Sequence, residues 1–414
     1  MLKNTRLGLR DPIHKWIQFS PEEKQVIDTP LVQRLRWVSQ LTGTDQVFPG
    51  GTNNRFSHSL GAMHLAGKYM KHLLREADEQ IFPEEIKPKC IQIARLAALL
   101  HDIGHGPFSH AFDRTVYQVI YAASESSHIG GHDLHRLHLI KSSPLKEAIE
   151  GCGITSDDIA RVWSSSPSSF DGRYNLDHVI KMVCQGLLGA DRMDFTLRDS
   201  YFTGSEHLGT ISPHRIISNS RIVQKDNVGN FTLGYNIKAF ADISQALNDR
   251  MHMYECVYLH KTVTSVGILI EKMISAACEP LNLIARTLDA DSFKFVTDHT
   301  LIGEIMNPNG PTELEEARKY CTRLMFRELP KLVEETLCSG QHIGQNSESE
   351  PQKELQPGQV LVRTRNISAL NSAEFEKNEI VFLKKDEQLS CAQVLKLNHI
   401  DPRPPIYYLR IYQL

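Results

Sequence analysis

Apolar residues recur along most of this chain at helical spacings, but the first stretch is different. After Asp11-Pro12-Ile13-His14, the residues Trp16, Ile17 and Phe19 alternate weakly, which predicts a short strand or extended arm. Ser20-Pro21-Glu22-Glu23 then reads as a helix opening, with a serine N-cap and proline in the first turn. Leu31, Leu35, Val38 and Leu41 fit one helical stripe, which Gly50-Gly51-Thr52-Asn53-Asn54 brings to an end. From Ser57 the series Leu60, Met63, Ala66, Tyr69 and Leu73 predicts a helix of several turns. Ile91, Ile93, Leu96, Leu99 and Leu100 predict another, ending near Gly104. Further helical runs are expected over 178–202 and 238–278, and a surface helix or helix pair over 311–338.

Beyond 338 the pattern changes. Residues 339–358 are polar and nearly free of aromatics, which predicts a linker or mobile loop. Val360-Leu361-Val362, Glu379-Ile380-Val381-Phe382 and the run from Ile406 to Tyr412 read as strands. The expected fold is mainly α, a helical core with a smaller α+β C-terminal region. Its expected parts are an N-terminal arm with the first helices (1–50), a core (51–278), a helical extension (279–338), the linker and a small β-containing tail (359–414).

At 414 residues the chain exceeds the roughly 250–300 at which a single core stops growing, so a large domain with additions is expected. Lys+Arg 46 against Asp+Glu 49 leaves a net charge of −3, which does not favour broad nucleic-acid binding. The 8 cysteines include no CxxC pair, as expected of a reduced, cytoplasmic protein. No apolar run is long enough for a membrane span, and the first residues lack the apolar core of a secretory signal.

Chemistry concentrates in His101-Asp102-Ile103-Gly104-His105-Gly106-Pro107-Phe108-Ser109-His110. An imidazole beside a carboxylate suits a borderline divalent cation, although a histidine at a helix C-terminus also simply favours the helix dipole. His58 opens an earlier helix. Asp191 follows Leu187 and Leu188 and is expected to share their apolar face. A carboxylate there needs a metal or an ion-pair partner such as Arg192 or Arg198.

His58, His101-Asp102 and Asp191, in this order on successive helices, resemble the H…HD…D signature of HD-domain phosphohydrolases. The resemblance widens through Ile27-Asp28-Thr29-Pro30, Gln33-Arg34-Leu35-Arg36, Gln40-Leu41, Val47-Phe48-Pro49-Gly50, Asn54-Arg55-Phe56-Ser57-His58-Ser59-Leu60-Gly61 and HDIGHGPFSHAFD. These are similar to the deoxynucleoside triphosphate triphosphohydrolase branch, over residues 5 to about 275. The resemblance implies an HD core over 51–278 holding one divalent metal through His58, His101, Asp102 and Asp191. Fe, Mn, Ni, Mg and Zn all remain open on that ligand set.

It further implies that His105 and His132 flank an α-phosphate, with Asp113 supporting His105. Gly131-His132-Asp133 stands where the family has a His-Glu pair. Arg55, Arg192 and Lys261 are implied as phosphate-binding residues, with His110 also contacting substrate. Asp199 and Tyr258 would hold a deoxyribose, Gln40 and Leu41 would lie beside the base and 3′-hydroxyl, and Arg250 would contact the nucleotide. Phe195 replaces a frequent tyrosine and removes a donor from the triphosphate grip, while Tyr254 stands where some relatives have histidine. His128, His135 and His138 read as surface or helix-face residues, and 154–177 as a loop insertion near the site.

The implied function is metal-dependent hydrolysis of dNTPs at the α-phosphate, giving deoxynucleoside and tripolyphosphate. Two alternatives stay open: an HD-type nucleotidase or phosphodiesterase on another nucleotide, and a non-catalytic nucleotide- or nucleic-acid-binding HD protein. The resemblance also implies a homo-oligomer. Asp11-Pro12-Ile13-His14 resembles a region that in some relatives helps build an allosteric nucleotide site.

Overall fold

The computed structural model describes residues 7–77, 79, 82–122, 130–163, 176–205, 210–225, 230–339, 355–365, 375, 380–385, 387–400 and 406–414. The chain is mainly α, with smaller sheets. The predicted arm is a hairpin, β1 (Leu7–Asp11) against β2 (Lys15–Phe19), in antiparallel register from Leu7↔Phe19 to Asp11↔Lys15. The Asp11 carboxylate closes its turn by accepting from the Ile13 and His14 amides at 3.0 and 2.8 Å. Helix α1 (Pro21–Ile27) opens with a reciprocal cap: the Glu23 amide donates to Ser20 Oγ, and the Ser20 amide donates to Glu23 Oε2.

The stripe from Leu31 to Leu41 is buried but not one helix. Helix α2 (Pro30–Arg34) gives way to a tight turn over Leu35–Trp37, and Val38 is extended. The backbone there pairs sideways with the strand entering the next helix, Gln40 N to Asn53 O at 2.9 Å and Arg55 N to Val38 O at 3.0 Å. Helical spacing of apolar residues recorded burial in this segment, while the hydrogen bonds went elsewhere.

Helix α3 (Arg55–Arg75), capped by Asn54, packs along α4 (Lys87–Leu100), and both are lined with core residues. Helices α5 (Gly131–Ile140) and α6 (Ser156–Trp163) follow. Residues 164–175 of the expected insertion lie outside the described residues, as does His128. The run expected over 178–202 is two helices, α7 (Asp177–Gln185) and α8 (Ala190–Thr203). Gly186 turns extended at ψ 174 and caps α7, and a Cβ at Gly186 would collide with the Met182 carbonyl. Asp191 therefore sits in the first turn of α8, a position the helix dipole favours for a carboxylate, and not on a continuous face with Leu187 and Leu188.

After β3 (Ser220–Gln224) and β4 (Phe231–Asn236), the region 238–278 is also split. Helix α9 (Phe240–Met253) widens into a π-turn over Tyr254–Tyr258, and α10 (Lys261–Cys278) restarts with His260 as its cap. The extension contributes α11 (Asp298–Ile305) and α12 (Glu315–Met325). The expected helix over 311–338 stops there. Pro330 cannot extend a helix, and Lys331–Ser339 is strand β5, with Val333 and Leu337 exposed on one face.

Of the expected linker, residues 340–354 lie outside the described residues. The later strands are β6 (Gln359–Arg365), β7 (Val381–Lys384), β8 (Glu387–Leu389) and β9 (Ile406–Gln413), with α13 (Cys391–Leu397) before β9. One sheet runs β3-β4-β7-β8, with β7 parallel to β4, and the other β5-β9-β6. The second sheet is fastened to the start of α10: the Tyr412 hydroxyl donates to Lys261 O at 2.8 Å, and Ser265 Oγ donates to Pro330 O at 2.6 Å. No described helix is long and apolar enough to cross a membrane.

Gly61 of α3 faces the side chains of Asp194 and Arg198 on α8. A methyl group there would run into Asp194 Oδ1 and the Arg198 guanidinium. Gly61→Ala should therefore lower stability by about 1–3 kcal/mol, visible as a fall in Tm by calorimetry. Gly303→Ala, with nothing within 4 Å of its added methyl, should hold or slightly raise Tm.

Candidate active site

His58 lies one turn into α3, His101 and Asp102 follow the end of α4, and Asp191 begins α8, so three helix ends aim at one point. His58 Nε2 is 3.1 Å from His101 Nε2 and 3.2 Å from Asp191 Oδ1, and His101 Nε2 is 3.5 Å from the same oxygen. Cation–ligand bonds of about 2.0–2.2 Å require ligand separations in this range. The tautomers agree. His58 Nδ1 donates to Asp194 Oδ2 at 2.8 Å and His101 Nδ1 donates to Ala98 O at 2.7 Å, so in neutral rings both Nε2 atoms present bare lone pairs to each other.

Such an arrangement asks for positive charge. Burial resists protonation of His58, but Asp191 and Asp194 outweigh it and push its pKa up to about 10. The donor set thus fits a divalent cation. Of the four expected ligands, His58, His101 and Asp191 form the convergent group. Asp102 stands beside it, 3.2 Å from His101 Nε2 and 3.7 Å from His58 Nε2, and pairs closely with Arg55. Burial opposes its charge, yet Arg55, His101 and His105 hold it well below the usual carboxylate range.

Asp194, which the sequence reading passed over, organises the rear of this centre. Fully buried, it accepts from His58, from His14 Nε2 at 2.6 Å and from Arg198 Nε at 2.9 Å, and Arg198 in turn reaches Asp11 at 2.7 Å. The available signal was its spacing: two carboxylates at i and i+3 share one helix face. Arg136 braces the other side, donating to His101 O at 2.8 Å and pairing with Asp133 at 2.9 Å.

A second group lies alongside: His105, His110, Asp113 and His132. Asp113 was expected to support His105, but its hydrogen bonds go elsewhere. Its Oδ2 accepts from His132 Nδ1 at 2.8 Å and from His110 Nδ1 at 3.1 Å. His105 instead stacks on His132, with ring centroids 3.8 Å apart at 18°, and lies 3.4 Å from Asp102. Burial, then Arg55 and His132, hold its pKa well below that of free imidazole, so its ring is neutral. Asp113 fixes His132 with Nε2 turned away from it, the orientation a proton donor or acceptor needs. His138 is exposed as expected, whereas His135 is buried edge-on against Phe293 at 4.6 Å.

Both groups border a cleft of about 1180 Å³. Gln40, Leu41, Arg55, Asp102, His105, His110, His132, Asp191, Phe195, Asp199 and Tyr258 line it, as does Tyr254, which the π-turn carries inward. Three expected substrate residues stand outside its wall. Arg250 is buried and donates to Leu187 O at 3.1 Å, Lys261 is exposed at the start of α10, and Arg192 is half-buried on α8. Asp199 accepts from Asn53 Nδ2 at 2.8 Å and from the Tyr258 hydroxyl at 2.9 Å, and burial raises its pKa to about 6 against both donors.

Residues 55–161, which carry His58, His101 and Asp102, match the HD domain family. The chain is 30% identical over 367 residues to deoxynucleoside triphosphate triphosphohydrolase SAMHD1 of Homo sapiens, covering 82% of this chain and 56% of that protein. The chain carries an HD domain. It is also 30% identical over 281 residues to an uncharacterized protein of Methanocaldococcus jannaschii, covering 68% of this chain and 52% of that one. A SAMHD1 homolog of Dictyostelium discoideum is 28% identical over 349 residues, covering 82% and 62%. The chain thus spans a little over half the length of these curated relatives.

In this HD-domain chain Asp194 sets the tautomer of His58. Asp194→Asn should weaken divalent-metal affinity about 10–100-fold, measured by calorimetric titration of the metal-stripped protein.

Proposed function

We propose that this HD-domain protein hydrolyses deoxynucleoside triphosphates at the α-phosphate, releasing deoxynucleoside and tripolyphosphate. The observation that carries the reading is the adjacency, in one cleft, of the His58–His101–Asp191 group, the Asp113–His132–His105 shelf and the Asp199–Tyr258 pair. A bound divalent cation supplies Lewis-acid polarisation of the phosphoryl group and acidifies water. His58, His101 and Asp191 would hold it with Asp102, and the two imidazoles favour a transition ion among Fe, Mn, Ni and Zn over Mg.

The chain's own groups do the rest. Arg55, anchored on Asp102, offers a fixed guanidinium to phosphate oxygens. His132, oriented by Asp113, delivers a proton to the departing 5′-oxygen, while neutral His105 orients the attacking water. Asp199 accepts from a sugar hydroxyl with Tyr258 packed beneath the ring, and Gln40 and Leu41 border the base. The names of the relatives support the substrate class. Homo-oligomerisation and an activating nucleotide near Asp11–His14 belong to the same reading and rest on the resemblance.

One observation favours a second reading. Phe195 faces the cleft edge-on to Tyr258 at 6.2 Å and brings no donor, which suits a nucleotide with a shorter phosphate chain.

Metal-loaded protein incubated with each dNTP and resolved by chromatography should yield deoxynucleoside and tripolyphosphate. Release of dNMP with pyrophosphate, or of the γ-phosphate alone, would contradict the mechanism, and turnover confined to mono- or diphosphates would favour the second reading. Asp113→Asn should lower kcat by about 10²–10⁴ with metal content unchanged. Because the Asp199 pKa lies near 6, its carboxylate is the acceptor above that pH and is protonated below it. KM should therefore rise as pH falls through about 6, and Asp199→Asn should flatten that limb of the KM profile.

A further inference from the structure

The extension beyond the HD core sends one carboxylate back into the cleft's supporting walls. Asp298 is the first residue of α11, only 4% exposed, and its helix is capped by the neighbouring Thr297, which accepts from Thr300 N at 3.2 Å. Both Asp298 oxygens are spent on other segments: Oδ2 accepts from the Ser39 amide at 2.9 Å, and Oδ1 accepts from the Phe108 amide at 2.8 Å. Ser39 leads directly into Gln40 and Leu41, and Phe108 into Ser109 and His110, so the two loops held by this carboxylate both contribute to the cleft lining.

The Phe108 loop needs such an anchor. Phe108 and Ser109 have φ of 56 and 53°, and Ser109 adds ψ −115, a backbone that side-chain-bearing residues hold only when their surroundings enforce it. Ser109 Oγ donates to Ser39 O at 3.0 Å and accepts from Arg55 Nε at 2.9 Å, which stitches the loops together and ties them to the partner of Asp102. Arg34 repeats the link from the extension, donating to Val296 O at 2.9 Å and to His105 O at 2.8 Å.

We propose that Asp298 is a positioning residue of the active site, holding the Ser39–Leu41 and Phe108–His110 loops against one another in the cleft wall. A carboxylate suits this role because each oxygen accepts. An amide of the same shape offers one acceptor and turns a donor toward the other N–H. The kinetic consequence rests on the function proposed above, whereas the structural one does not.

The test is Asp298→Asn in the full chain, read by hydrogen-exchange mass spectrometry over peptides covering 37–41 and 106–112. Both segments should exchange about tenfold faster or more, with metal content unchanged and KM for the nucleotide raised more than kcat is lowered. Thr297→Ala, which uncaps the same helix, should lower Tm and leave both segments at wild-type rates. Should Asp298→Asn not fold, Asp298→Glu serves, since its longer arm cannot seat both oxygens. Wild-type exchange in either segment of the folded variant would overturn the proposal. A wild-type protein inactive on every dNTP would instead count against the function and leave the exchange result standing.

Discussion

Two imidazole lone pairs and a carboxylate oxygen, held within 3.5 Å of one another in a protein interior, repel unless positive charge lies between them. The rest of the centre serves to keep them there. Asp194 and the Ala98 carbonyl each accept from one ring N–H, so neither imidazole can turn its Nε2 away. Arg198 and Arg55 neutralise the surrounding acids, Arg136 fixes the backbone at His101, and Gly61 leaves the room that Asp194 and Arg198 occupy. The same acids that push the His58 pKa up to about 10 prepare the site for a cation.

That convergence depends on where helices stop. The break at Gly186 moves Asp191 from the middle of a helix to its first turn, where the dipole and the facing imidazoles both favour its charge. The π-turn at Tyr254–Tyr258 similarly rotates two aromatic rings toward the cleft, one of them onto Asp199. The strained pair Phe108–Ser109 bends the chain from the HD motif toward His110. In each case an interruption of regular structure, and not the structure itself, puts a functional group in reach.

The parts of the chain are correspondingly interdependent. The N-terminal hairpin reaches the rear of the metal group through His14, and the extension reaches the front through Asp298 and Val296. The cleft also runs on to β6, whose residues Val360–Thr364 form part of its wall. The region matching the HD family supplies His58, His101 and Asp102, but Asp191 comes from beyond it, and segments well outside it hold these groups and shape the space before them.

Local order was legible from the residues themselves. The cap at Ser20, the long helices around Met63 and Leu96 and the H…HD…D order could all be read, because caps, periodicity and motifs act over a few neighbouring positions. Tertiary structure decided what crosses between segments. Asp113 serves His132 and not His105, Val38 and Leu41 are buried without being helical, and the strand at Lys331–Ser339 replaces an expected helix. Asp194 could be glimpsed from its spacing to Asp191, but Asp298 could not be inferred at all. Its partners are amides at positions 39 and 108, and a backbone N–H looks the same in every residue but proline until the fold brings it to a carboxylate.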